Sequence, residues 1–95
     1  MVVGTLKIAL LLHDNRSLKG KRKVVRSLVD RVRSRFNVAV AEIGANDLWQ
    51  RIELGVCTVA NDRKHVDASL VNVMSYVESL HLAEVLDSEM EILNL

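Results

Sequence analysis

Apolar residues recur along this chain with two periods, two and about 3.6, and the switches between them mark out its elements. Val2 to Leu12 is a long apolar run with Thr5 and Lys7 on alternate positions, which predicts a central strand with one well-buried face. His13-Asp14-Asn15-Arg16 is polar and turn-like. Ser17 then stands where an N-cap belongs, its hydroxyl able to accept an orphan N–H of a first helical turn. At about 100° per residue, Leu18, Val24, Val25, Leu28, Val29, Val32 and Phe36 gather on one side of the helix that follows. It is expected to close near Phe36-Asn37, with Asn in the left-handed conformation. Val38 to Ile43 and Gln50 to Ala60 are β-branched segments joined by Gly44-Ala45-Asn46-Asp47, a pattern that predicts an antiparallel hairpin. In the second segment Ile52, Leu54, Val56, Thr58 and Ala60 face one side. Arg51, Glu53, Gly55, Cys57 and Val59 face the other, which reads as semi-exposed. Asn61 or Asp62 caps a second helix, with Val66, Leu70, Val73, Met74, Val77 and Leu80 at helical spacing. A last strand runs near Glu84 to Leu93.

The order is β-α-β-β-α-β. Two helices and four strands that must bury one sheet face give an α+β, ferredoxin-like two-layer sandwich: a four-stranded antiparallel sheet with both helices on one side. The right-handed crossover rule selects that topology over its mirror. With no Pro, four Gly and no low-complexity run, residues 1–95 read as a single domain. Surface scaling gives roughly 15,500 Å² for the extended chain and about 5,500 Å² folded, enough burial for one core without a metal or disulfide. No stretch approaches the roughly 20 apolar residues of a membrane span. Met1 to Leu12 lacks the basic n-region and cleavage site of a signal peptide and reads as a strand. A single cysteine, Cys57, excludes a disulfide framework and suits a reducing cytoplasm.

A formal net charge of +1 conceals a strong asymmetry. Between Arg16 and Arg35 lie nine cations and one acid, Asp30, a net of +8. The remainder of the chain carries −7, and from Glu78 onward there are five acids with no Lys or Arg. Charge separated in this way bears on partners rather than on fold. On the helical wheel Lys19, Arg22, Lys23, Arg26 and Arg33 gather opposite the apolar side, joined only by Asp30, with Arg16 and Lys21 flanking the start.

The run Arg16-Ser17-Leu18-Lys19-Gly20-Lys21-Arg22-Lys23-Val24-Val25 leads into Arg35-Phe36-Asn37-Val38-Ala39-Val40-Ala41-Glu42. It is followed by Asp47-Leu48-Trp49-Gln50-Arg51, Leu54-Gly55-Val56 and Asn61-Asp62. Together these residues resemble the YlxP-like proteins, a bacterial family of about this length and of unknown function. The likeness covers nearly the whole chain and weakens after about Leu80. It implies a ferredoxin-like fold, a cytoplasmic bacterial protein, and a role near the ribosome or RNA, because genes of the family often lie beside those for translation initiation and ribosome maturation. It carries over no catalytic residues.

The basic helix face is the leading candidate for function. A stripe of cations suits a nucleic acid backbone, whose neutralised phosphates release counterions. The expected nucleic-acid-binding set is Arg16, Lys19, Lys21, Arg22, Lys23, Arg26 and Arg33, docking on structured RNA, plausibly ribosomal. The blander reading is a solvated face kept basic for solubility. Aromatic residues total three, Phe36, Trp49 and Tyr76, and none occupies a strand position that could stack a base. Recognition of backbone or shape therefore fits better than sequence-specific reading of a single strand.

An open sheet face with Val3, Thr5, Ala9, Leu11, Gly55, Cys57 and Val59 suggests instead a homodimer or protein-binding module, in which the basic helix meets an acidic protein partner. A remote alternative is an acylphosphatase-like hydrolase, with His13-Asp14-Asn15-Arg16-Ser17 as an anion cradle and Arg16 as its clamp. That loop has no glycine, so the likeness is one of topology alone. Trp49 is expected to anchor the hairpin against the core, and Cys57 to be a half-buried filler. His13, His65 and His81 show no ligand spacing. No metal, cofactor, membrane partner or enzymatic activity is expected.

Overall fold

The computed structural model describes all of residues 1–95. Its elements are β1 (Val2–Leu11), α1 (Leu18–Arg35), β2 (Ala39–Gly44), β3 (Arg51–Ala60), α2 (Arg63–Ser79) and β4 (Glu84–Asn94). The sheet order is β2-β3-β1-β4, and every pairing is antiparallel. This is the ferredoxin-like sandwich that the two periods predict. None of its helices is long and apolar enough to cross a membrane.

Alternation along β1 is strict. Val2, Gly4, Leu6, Ile8 and Leu10 are buried beneath the helices, whereas Val3, Thr5, Ala9 and Leu11 are half-covered and Lys7 is exposed on the open face. Leu10 meets Ile52 and Leu6 meets Val56 across the β1–β3 pair, so the register aligns the apolar faces of the two central strands. Leu28 and Val32 of α1 and Val66, Leu70, Val73 and Val77 of α2 complete a core of 15 residues. Gly4 is required where α2 crosses β1, because a Cβ there would overlap Val66 and Leu70.

The first helix starts on the predicted cap, Ser17, and the second on Asp62, one of the two expected candidates. Ser17 accepts from the Gly20 N–H at 3.0 Å, and Asp62 accepts from the Lys64 N–H at 3.1 Å. The end of α1 differs from expectation. Phe36 turns directly to extended backbone (φ −127), and Asn37 does not take the left-handed conformation. Packing supplies the stop instead: the Phe36 ring meets Tyr76 edge-on at 5.6 Å, fixing the chain's exit toward β2. Left-handed backbone occurs at Asp14, Ala45 and His81.

β4 is an edge strand with Asp87, Glu89 and Glu91 on the open side, opposite Ala9, Lys7 and Thr5 of β1. A second β4 added antiparallel would set these acids against their own copies, which discourages edge-to-edge pairing.

Candidate nucleic-acid interface

The outer face of α1 is where the predicted residues meet. Lys19, Arg22, Lys23, Arg26 and Arg33 are all exposed on this 18-residue helix. At a rise of 1.5 Å per residue they spread over about 21 Å along one side. The rigid sheet beneath holds the helix through Leu28 and Val32, both fully buried.

None of these five cations has a carboxylate within ion-pair distance. The chain's salt bridges are His13–Glu84, Lys21–Glu42 and Arg51–Glu53. Asp30 lies four residues after Arg26 and three before Arg33, yet pairs with neither. Other cations of the same segment are already occupied. Arg31 donates to the Ser27 hydroxyl at 3.0 Å, and the Arg35 guanidinium lies 4.7 Å over the Tyr76 ring. Arg33 donates to the Val40 carbonyl of β2 at 3.4 Å, a long hydrogen bond from a residue that is exposed as a whole.

Lys21 must be removed from the expected set. Its side chain is 2% exposed, its ammonium donates to the Ala45 carbonyl, and it lies 3.1 Å from Glu42 Oε2. That second contact is an ion pair whose alignment falls short of a hydrogen bond, while Glu42 Oε1 accepts from Asn46 at 3.2 Å. The period explains the burial. Lys21, Leu28 and Val32 stand at i, i+7 and i+11, on one side of the helix and opposite Lys19. A long aliphatic stem lets the lysine cross the layer and deliver its charge to the hairpin.

Arg16 is exposed just before the cap. The loop around it is folded on itself rather than spread as an anion cradle. Asn15 Nδ2 donates to the Ser17 carbonyl at 2.8 Å and to the Trp49 carbonyl at 2.5 Å, and the Ser17 hydroxyl is taken by Gly20. A Cβ at Gly20 would overlap the Asn15 side-chain oxygen, so this glycine lets the loop close on the helix.

Two further expectations are corrected. Trp49 does not anchor the hairpin in the core: it is 52% exposed, and its neighbour Leu48 is exposed as well. Polar bonds from Asn15 tie this loop down, so the ring is free to face solvent. Cys57 is exposed on the open sheet face rather than half-buried. Nowhere do three or more His, Cys, Asp or Glu side chains come together as a metal-holding group.

Comparison with known proteins adds family and fold. Residues 3–90 match the family described as "Protein of unknown function (DUF503)". The uncharacterized protein YlxP of Bacillus subtilis (strain 168) is 33% identical over 78 residues, covering 82% of this chain and 85% of the relative. Among solved structures, protein YJCS from structural genomics superposes with a TM-score of 0.55 at 12% identity, covering 97% of this chain and 99% of its own. The de novo designed protein Foldit4 gives 0.53 at 11% identity, with 99% and 97% covered. At such identities these two likenesses concern the fold alone.

Proposed function

The chain belongs to the DUF503 family, and from that premise we propose that it is a small cytoplasmic protein that binds structured RNA through α1. The carrying observation is the set of five exposed cations on one helix face with no carboxylate paired to any of them. A basic face kept only for solubility gains from interspersed acids at i,i+4 spacing. Here the one acid available, Asp30, stands unpaired among the cations. Lys19, Arg22, Lys23, Arg26 and Arg33 supply the charge for phosphates, and Arg16 extends it at the helix start. The sheet carries no aromatic residue on its open face, so the fold-mates' habit of stacking bases on strands has no counterpart here. Contact with the backbone of folded RNA, plausibly ribosomal, is the form of recognition that this surface suits.

Fluorescence anisotropy of a labelled RNA hairpin across a salt series tests this reading. Five phosphate contacts predict a log–log slope of roughly −3.5 to −4.5. A slope near zero, or no binding at low salt, would remove it.

A second reading rests on the open sheet face. A groove of about 370 Å³ lies between β1, β3 and β2, lined by Thr5, Lys7, Ala41, Ile43, Gly55 and Cys57 among others. Ile43 and Val59 stand more than half exposed on these strands. Apolar exposure of this kind suits a protein partner or a second copy. Sedimentation equilibrium of wild type and Val59→Asp separates the two outcomes: a dimer lost on substitution supports the second copy, and a monomer in both excludes it.

A further inference from the structure

Ten large apolar side chains are exposed, and six of them lie on the open sheet face or at its rim: Ile43, Leu48, Trp49, Val59, Leu86 and Leu93. Of the other four only Val71 belongs to a helix. The excess is a property of one face rather than of the whole surface, which marks that face for contact. It forms two clusters, one at each end of the strands. At one end Val59 and Leu93 flank Val3, their common partner on β1. At the other a groove of about 510 Å³ is lined by Leu11, Leu48, Trp49, Gln50, Arg51 and Leu86.

Between the clusters three rows of residues cross the sheet. Glu91, Thr5, Cys57 and Ala39 share one row, Glu89, Lys7, Gly55 and Ala41 the next, and Asp87, Ala9, Glu53 and Gly44 the third. Every row thus begins with an acid on β4 and ends with Ala or Gly on β2. Four strands of this length present about 600 Å² in plan. Two such faces stacked hide about 1,200 Å², the size at which specific interfaces begin. The distribution of charge decides how a copy can lie there. A two-fold axis across the strands sets β4 over β4, acid on acid. A two-fold axis along the strands, between β1 and β3, sets β4 over β2 instead. Glu91, Glu89 and Asp87 then meet Ala39, Ala41 and Gly44 of the second copy, at a rim that water still reaches. The same axis preserves height along the strands, so each apolar cluster lands on its own copy and Val59 lies over Val3. Lys7, which has no carboxylate within ion-pair distance, stands over Gly55 and the groove beside it.

We infer that the open sheet face receives a second copy of this chain, stacked sheet on sheet about the axis that runs along β1 and β3. The inference rests on the sheet-face reading above and goes beyond it by fixing the partner and its orientation. Charge and apolar area that complement themselves under one two-fold axis favour a copy over a foreign protein. Sheets stacked in this way keep their strands within about 30° of each other, so the rows stay close to register near the axis. Both helices lie on the other side of each sheet, and the basic faces of the two α1 helices remain outward.

Cys57, the sole thiol, is exposed on this face and reports on its covering. Sedimentation velocity gives the mass across a dilution series, and a chromogenic disulfide reagent gives the rate of Cys57 modification in the same samples. Wild type is expected to dimerise reversibly, with Cys57 reacting about tenfold more slowly in the concentrated sample than in the dilute one. Ala41 is exposed on an edge strand, so its substitution leaves the fold intact. Ala41→Lys sets a cation against Glu89 of the copy and is expected to tighten the dimer several-fold at low salt, whereas Ala41→Glu is expected to weaken it about tenfold. A monomer at every concentration overturns the inference and leaves the face to a foreign protein. A dimer that Val59→Asp breaks but Ala41→Lys also weakens has β2 over its own copy, which overturns the inferred orientation while the sheet-face reading stands. A dimer that survives Val59→Asp with Cys57 fully reactive lies elsewhere, and overturns the sheet-face reading and this inference together.

Discussion

The two helices pack on the same sheet face, have 18 and 17 residues, and begin on side-chain caps. Both also open on cations, since Arg63 and Lys64 lead α2 as Lys19 leads α1. Misplaced charge at the positive end of the helix dipole is common to both and therefore says nothing about function. What separates them is the distribution of charge. α2 buries Val66, Leu70, Val73 and Val77 and needs no buried cation. α1 buries a lysine among its apolar contacts and exposes five unpaired cations along one side. The sheet's demands on a helix are met by α2, so the excess on α1 is what folding does not require.

Substitutions at Lys21, at the two caps and at Asp30 sharpen that difference, and their expected effects differ in size. Lys21→Ala has the largest expected effect, because it leaves Glu42 and the Ala45 carbonyl without their partner under the helix. We expect a loss of about 3 kcal/mol in chemical denaturation. Lys21→Met combined with Glu42→Leu should recover most of it, since a buried pair replaced by apolar groups is often neutral. If Lys21→Ala unfolds at the wild-type midpoint, the lysine is not the support that its burial implies. Next come the caps, where the helices should behave alike. Ser17→Ala and Asp62→Ala are each expected to cost about 1 kcal/mol, read from the same denaturation curves. A far larger loss at Ser17 would mean that the Asn15 loop, and not the cap bond, holds the start of α1. The smallest effect is expected at Asp30. Asp30→Asn removes the one acid from the basic stripe and should tighten RNA binding a few-fold at low salt, an effect that added salt erases. Weaker binding would show that Asp30 makes a contact of its own.

The architecture was legible because it depends on binary pattern. Period two in the strands and 3.6 in the helices set the faces of β1, β3, α1 and α2, and both caps fell where Ser17 and Asp62 stand. The exposed cations of α1 were legible for the same reason. Lys21 was misplaced because it was grouped with neighbours along the chain, although its phase matches Leu28 and Val32. Trp49 was misplaced for a different reason. Its loop is held by hydrogen bonds from Asn15 and Gln50 across 34 and 35 residues of sequence. Contacts of that kind leave no period to read, so size alone suggested burial. The end of α1 was missed similarly: the contact of Phe36 with Tyr76 comes from tertiary packing, which outweighed the local preference of Asn37.

The central claim is that the cations of α1, and not positive charge in general, make the binding surface. The direct test reverses charge on each helix in turn and measures affinity for one structured RNA at fixed low salt. One variant carries Lys19→Glu, Arg22→Glu, Lys23→Glu and Arg26→Glu; the other carries Arg63→Glu and Lys64→Glu, with circular dichroism confirming that both remain folded. The account predicts that the α1 variant loses at least about 100-fold in affinity and most of its salt dependence, while the α2 variant stays within a few-fold of wild type. Equal losses in the two variants, or retained binding by the folded α1 variant, would contradict it.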